Sequence, residues 1–190
     1  MKKLILILFI ALTRTSFAQD AQVIKRDFET IIQHTRQLEI DKILDMTYPP
    51  IFNIMPKAQM SALAKGMMDA MGIKTVYEQV PLELVMSPLK KISTGSVSLS
   101  KYNQSMIVEF SNPDLIDIFV KTKLKDNVIE KLGPNKVRIK GKSYLLAIKD
   151  DKTANTWKYL RYDEEDTEVN ASVLSKEIQD LVMQLKKDLK

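Results

Sequence analysis

The spacing of apolar residues predicts helices in the first third of the chain. Between residues 20 and 48, apolar side chains recur every three or four positions, which places them on one face of a helix. The stripe loses its phase near Glu39-Ile40, so we expect a long helix followed by a short one that ends at Pro49-Pro50. A second stripe over residues 56–71, closed by Gly72, predicts another helix.

Beyond Gly72 the pattern changes to short β-rich runs. Apolar runs at 97–99 and 106–110 predict strands. Alternating positions at 136–148 and 156–162, separated by a polar turn, predict a long hairpin. Because hairpin turns separate these strands, we expect an antiparallel sheet with helices on one face.

Two segments complete the predicted fold. Residues 113–132 alternate like a strand, but Asn112-Pro113 suits a helix start and Gly133-Pro134 suits a helix end, so we expect a helix. Residues 170–190 carry an apolar stripe and end in lysines, which predicts a last helix. The predicted fold class is α+β, with N-terminal helices packed on an antiparallel sheet and an additional C-terminal helix, all in one domain.

The N-terminus has the three-part pattern of a secretory signal peptide. A short basic start precedes nine apolar residues at 4–12, and Ser16-Phe17-Ala18 places small residues before Gln19. Nine apolar residues are too few to span a bilayer, which needs about 20. The alternative is a retained anchor or a buried strand. We expect removal of residues 1–18 and export of a single domain, residues 19–190, to the periplasm or the medium, with no integral membrane segment.

Composition narrows the possible functions. The 190 residues include no Cys and one His, which excludes disulfides, cysteine nucleophiles, iron–sulfur clusters and multi-His metal centres. Without residues 1–18, Lys+Arg falls from 29 to 26 against 24 Asp+Glu, so the net charge falls from +5 to +2. The basicity of the whole chain therefore belongs largely to the leader, and we expect no nucleic-acid partner. We also expect no metal and no cofactor.

Two segments resemble the nuclear-transport-factor-2-like superfamily, whose members are shaped like ketosteroid isomerases and have a cystatin-like fold. One is DFETIIQHTRQLEIDKILDMTYP, a long helix that steps into a short one, and the other is SYLLAIKDDKTANTWKYLRY, a late hairpin. The resemblance covers most of residues 20–162 and is to small exported bacterial proteins of unassigned role. It implies a strongly curved antiparallel sheet around helices, with a cone-shaped pocket. The helices predicted at 113–132 and at the C-terminus depart from the simplest members and would cover the mouth of that pocket.

Candidate chemistry on the helices is limited. His34 and Asp27 lie seven residues apart on one helix edge and would form a His–carboxylate dyad at the pocket rim. The alternative, which we favour, is a solvent-edge histidine. Four methionines at helical spacing would form an adaptable wall around an apolar ligand, although the same spacing fits ordinary core packing. These are Met60, Met67, Met68 and Met71.

Candidate residues on the strands form two groups. A basic series alternates along the predicted strand at 136–148 and would bind an anionic component of the cell envelope; it consists of Lys136, Arg138, Lys140 and Lys142. The alternative is a solvated strand face whose lysines discourage edge pairing. Trp157 is expected to be a core residue, and the alternative is a ligand platform at the pocket mouth.

The absence of any catalytic constellation in the sequence favours an exported, non-catalytic binding or interaction module that holds a small apolar ligand in the cone. The alternative is a lyase or isomerase acting on a small apolar substrate in that pocket. A third interpretation is a partner subunit held by the C-terminal helix. Convergent carboxyl, His or Tyr groups in an enclosed pocket would favour the enzyme, whereas an apolar or plugged cavity would favour the binding module.

Overall fold

The computed structural model describes residues 2–70, 72–121 and 125–189. Side chains are described from Gln19 onward, apart from those at positions 67, 69, 118 and 119. The predicted signal segment, residues 1–18, therefore lies outside the residues whose side chains are described, and so do Met67 and Met71. Within the described residues, no helix combines the length and the apolar character needed to cross a membrane.

Six helices lie in the described part of the chain. They are α1 (Lys2–Arg36), α2 (Ile40–Met46), α3 (Lys57–Ala70), α4 (Asp114–Lys121), α5 (Thr167–Val173) and α6 (Lys176–Asp188), with a short 3₁₀ turn at Pro49–Asn53. The predicted break between a long and a short N-terminal helix is confirmed. Leu38 adopts a left-handed backbone with φ of 55°, which an α-helix cannot contain, so α1 ends and α2 starts in a new direction.

Seven strands of the described chain form one antiparallel sheet. They are β1 (Ile73–Tyr77), β2 (Val85–Met86), β3 (Lys90–Ile92), β4 (Gly95–Phe110), β5 (Asn127–Lys131), β6 (Lys136–Lys149) and β7 (Lys158–Tyr162). The long strands β4 and β6 pair continuously from Ser96↔Lys149 to Glu109↔Lys136. The strands β1, β2 and β3 pair with the other edge of β4, and β5 and β7 share the outer edge of β6.

The α+β class is confirmed, with N-terminal helices before a curved antiparallel sheet and a helix at the C-terminus. The single helix predicted at 113–132 is wrong in its second half, because α4 ends at Lys121 and β5 pairs with β6 from Asn127 onward. The single helix predicted at 170–190 is two helices, since Ser175 caps a new one by accepting a hydrogen bond from the backbone N–H of Ile178.

The predicted one-sided packing of helices is wrong, because both faces of the sheet are covered. On one face, Leu146 and Leu160 pack with Val182 and Leu185 of α6. On the other, Leu145 packs with α1 and Val137 packs with α4. The continuous apolar run at 144–148 explains this, since a strand that is apolar at every position must bury both of its sides. We refer to these as the α6 face and the α1 face.

Candidate functional site

The outer edge of β6 is interrupted. The strand β5 pairs with residues 137–141 of β6, and β7 pairs with residues 144–148. Lys142 and Ser143 therefore have no neighbouring strand on that edge, although the Lys142 N–H donates to the carbonyl of Asp126 at 2.9 Å. A cleft of about 300 Å³ opens at this break, and we call it the edge cleft.

The lining of the edge cleft combines an apolar wall with polar and charged groups. Its apolar side chains are Met106, Ile129 and Ile139, which also belong to the core under α4. Its polar and charged side chains include Gln104, Asn127, Lys142, Ser143, Arg161, Asp163 and Glu165. A volume of about 300 Å³ lies at the lower end of the range for small-molecule sites, so the cleft suits a compact ligand.

Two buried polar atoms at the edge cleft have no hydrogen-bond partner among the described residues. They are Ser143 Oγ and Asn127 Oδ1, and Ser143 as a whole is 4% exposed. Burial raises the pKa of the Tyr102 hydroxyl and Ser143 lowers it, so this hydroxyl lies close to Ser143, although the pair does not meet the geometry of a hydrogen bond. An unpaired buried polar atom costs about 1–3 kcal/mol, so folded proteins give nearly all such atoms a protein, water or ligand partner.

One wall of the edge cleft is a closed network of ion pairs. The Lys186 side chain is 13% exposed and donates to Asp126 Oδ2 at 3.0 Å. Its Nζ also lies 3.1 Å from Glu164 Oε2. Glu164 forms a second salt bridge with Lys125, so it lies between the two lysines. Lys186 Nζ also lies 4.4 Å from the Tyr144 ring centroid, so the charges of this wall are paired with one another.

Two cations at the edge cleft are not neutralised in this way. Arg161 and Lys142 make no salt bridge with any carboxylate that the structure describes. Burial raises the pKa of the Tyr102 hydroxyl, and the charge of the Arg161 guanidinium opposes that rise. Unpaired guanidinium and ammonium groups beside unpaired polar atoms are suited to binding an anionic group.

The structure does not bring His34 and Asp27 together. His34 Nδ1 lies 2.6 Å from Glu39 Oε2, whereas Asp27 Oδ2 accepts from the Tyr159 hydroxyl at 2.9 Å. Seven helical residues separate the two side chains by about 10 Å along the axis, so each bonds to a nearer group. The predicted dyad is not formed, and neither residue lines the edge cleft.

The predicted methionine wall is not a pocket around a ligand in the described part of α3. Met60 and Met68 are half-buried and belong to none of the three apolar clusters, and Leu63 on the same stripe is exposed. Met68 borders a shallow surface depression instead. The methionine that does line the edge cleft is Met106, on β4.

Three of the four predicted basic residues are neutralised by neighbouring carboxylates. Their partners, at 2.9–3.5 Å, are Glu109 for Lys136, Glu78 and Glu130 for Arg138, and Glu130 for Lys140. Hydrogen bonds from Ser105 and Arg138 lower the pKa of Glu78, so it remains charged at neutral pH. This arrangement fits the solvated strand face, and Lys142 differs from its neighbours because it lines the edge cleft.

Trp157 packs in the core under α1, which fits its interpretation as a core residue. It is 8% exposed and shares a cluster with Ile24 and Phe28. Its indole Nε1 donates to Asp20 Oδ1 at 2.9 Å, and Lys149 Nζ donates to the same oxygen at 3.0 Å. Burial raises the pKa of Asp20, but these two hydrogen bonds outweigh it and the pKa lies below its ordinary value.

The residues that line the edge cleft had one signal in the sequence that we did not use. Ser143 lies on the same side of β6 as Val137, Ile139 and Leu145. Those three side chains point into the core on the α1 face. A polar residue at an apolar-phase position of a strand indicates either a buried hydrogen bond or a site.

Two of the three carboxylates that line the edge cleft have partners within the protein. Asp126 is held by Lys186, and Asp163 Oδ1 accepts from the Glu165 N–H at 3.0 Å. Across the residues that the structure describes, no group of three or more His, Asp or Glu side chains is placed to hold a metal ion.

No protein-family model, curated protein or solved structure matches this chain.

Proposed function

We propose that this chain is an exported, non-catalytic binding module that holds a small ligand in the edge cleft. The observation that carries the proposal is the pair of buried, unpartnered atoms, Ser143 Oγ and Asn127 Oδ1, on one small cleft. A ligand that bonds to both recovers the cost of leaving them unsatisfied. The signal-peptide pattern at 1–18 supports export.

The lining of the cleft changes the expected character of the ligand. A purely apolar molecule would bury Arg161 and Lys142 without a partner, and that is unfavourable. The apolar wall of Met106, Ile129 and Ile139 in turn favours a ligand with an apolar body. The proposed ligand therefore has a compact apolar body and an anionic end.

We also propose that the chain is related to the nuclear-transport-factor-2-like superfamily. The order of its elements, with helices that precede a curved antiparallel sheet, supports this relationship. The lyase or isomerase alternative is less favoured, because two of the three cleft carboxylates, Asp126 and Asp163, already accept hydrogen bonds from the protein itself. Glu165 is the third, and no His among the cleft residues shares a proton with it.

The proposal predicts that benzoate, a ring with one carboxylate, binds at the edge cleft of the chain that starts at Gln19. In a titration followed by amide shifts in ¹H–¹⁵N spectra, the largest shifts are expected at Asn127, Ser143 and Arg161. Binding of this small anion is expected in the millimolar range, about −4 kcal/mol, because it satisfies part of the site.

Two variants sharpen this experiment. Ser143→Leu fills the cleft, and Arg161→Gln removes its unpaired cation while keeping a polar side chain on an exposed position. Both are expected to abolish or weaken the benzoate shifts, and Lys152→Gln, on an exposed turn remote from the cleft lining, serves as the control. Shifts that map elsewhere, or that persist in both variants, would contradict the proposal.

A further inference from the structure

The chemistry of the ligand follows from how three residues are placed around the break in the sheet edge. Resting on the proposed function, we propose that the edge cleft selects a small carboxylate that also carries a hydroxyl group at the opposite end of a compact body. The carboxylate faces Arg161, and the hydroxyl faces Asn127. Ser143 lies between them.

Strand register fixes this arrangement. Asn127 pairs with Gly141, and Arg161 pairs with Leu145, so both point to the α1 face, as Ser143 does. Ser143 lies midway between Gly141 and Leu145 on β6. Each flanking residue is thus a diagonal neighbour of Ser143, at a distance of about 7–8 Å. The three side chains surround the position that a residue of an uninterrupted edge strand would occupy.

The size of the site suits a compact ligand. The β6 partners of Asn127 and Arg161 are four residue steps apart, which corresponds to about 13 Å between their backbones. Arg161 and Asn127 both line the cleft, so both side chains reach into this span. The cleft volume of about 300 Å³ suits a compact body such as a single ring.

The hydrogen-bond donors and acceptors of the three residues determine which functional groups the ligand needs. The Arg161 guanidinium offers only donors in a planar fork, which fits the two oxygens of a carboxylate. Asn127 Oδ1 is an acceptor and requires a hydroxyl or amine donor, whereas Ser143 Oγ bonds to either end. A carboxylate alone would leave Asn127 unpaired, and a neutral alcohol would leave Arg161 unpaired.

Gly141 holds Asn127 at its place in this site. A Cβ at position 141 would collide with the backbone carbonyl of Asp126 and with Asn127 itself. The missing side chain lets β5 begin close against β6, so the amide of Asn127 reaches the cleft floor. The acceptor is therefore built into the sheet rather than carried on a loop.

The test compares three probes that share one ring, titrated into the chain that starts at Gln19 and followed by amide shifts. The probes are 4-hydroxybenzoate, 4-methoxybenzoate, which lacks the hydroxyl donor, and 4-hydroxybenzamide, which lacks the charge. We expect 4-hydroxybenzoate to bind about tenfold more tightly than 4-methoxybenzoate. The advantage over 4-hydroxybenzamide is expected to be about tenfold or more, because hydrogen bonds to charged groups are the stronger ones.

Variants assign each preference to its residue. Arg161→Gln is expected to erase the preference for the carboxylate and keep the preference for the hydroxyl, and Asn127→Ala is expected to do the reverse. Lys152→Gln should keep both. If all three probes map to the edge cleft with equal affinity, the inferred ligand class is overturned while the proposed function stands. If no probe maps to the cleft, both fail.

Discussion

Replacing Trp157 with alanine is expected to lower the free energy of unfolding by about 3–5 kcal/mol, the range for a large buried aromatic. The indole fills the core between α1 and β7, where it contacts the cluster that contains Phe28 and Tyr159. The substitution also leaves Asp20 without the indole N–H that it accepts. Urea denaturation of the chain that starts at Gln19, followed by circular dichroism, measures the loss.

Trp157→Phe is the matched control for this experiment. It keeps an aromatic ring in the core and removes the hydrogen bond to Asp20, so a smaller loss than that of the alanine variant is expected. The native protein should also show the blue-shifted emission of a buried indole. Near-normal unfolding of Trp157→Ala together with red-shifted native emission would instead place Trp157 at the surface, as a ligand platform.

Leu185→Ala is expected to destabilise the protein by about 2–5 kcal/mol. Leu185 is 0% exposed and lies on α6 against Leu146 and Leu160 of the sheet. Its truncation leaves a cavity in the centre of the α6-face core, and urea denaturation measures the cost. This result is expected because α6 packs on the sheet as part of the core of the domain.

Met183→Ala provides a control on the same helix. Met183 lies two residues before Leu185 but is 49% exposed, so its truncation should change the free energy of unfolding by no more than about 0.5 kcal/mol. Near-normal unfolding of Leu185→Ala accompanied by a lower mass in solution would contradict this account. That outcome would favour the interpretation of the C-terminal helix as a holder of a partner subunit.

Periodicity alone predicted much of the fold. Two features could be predicted, the break between α1 and α2 and the hairpin of β6 and β7. The spacing of apolar residues within each segment determines both. Residues 113–132 could not, because their end signals are those of a helix while hydrogen bonds to β6 draw residues 127–131 into the sheet. Strand pairing is a long-range interaction that local end signals do not report.

Apart from Ser143, the residues of the edge cleft could not be predicted from the sequence pattern. The cleft exists because β5 and β7 pair with the same edge of β6 at registers that leave Lys142 and Ser143 between them. No local signal specifies that register, so Asn127 and Arg161 look like ordinary strand residues in the sequence. His34 was singled out as the one histidine and for its place on the same helix edge as Asp27, whereas the structure gives it Glu39 as a partner.

Ser143→Ala tests the central claim most directly, because a site and a structural hydrogen bond predict opposite results. The measurement is the free energy of unfolding and the affinity for 4-hydroxybenzoate in the same variant. Since Ser143 Oγ has no partner in the described structure, we expect stability to be unchanged or higher by about 1 kcal/mol, with affinity weakened about two- to tenfold. A loss of about 1–3 kcal/mol in stability with unchanged affinity would show that the hydroxyl serves the fold, and would contradict the binding site.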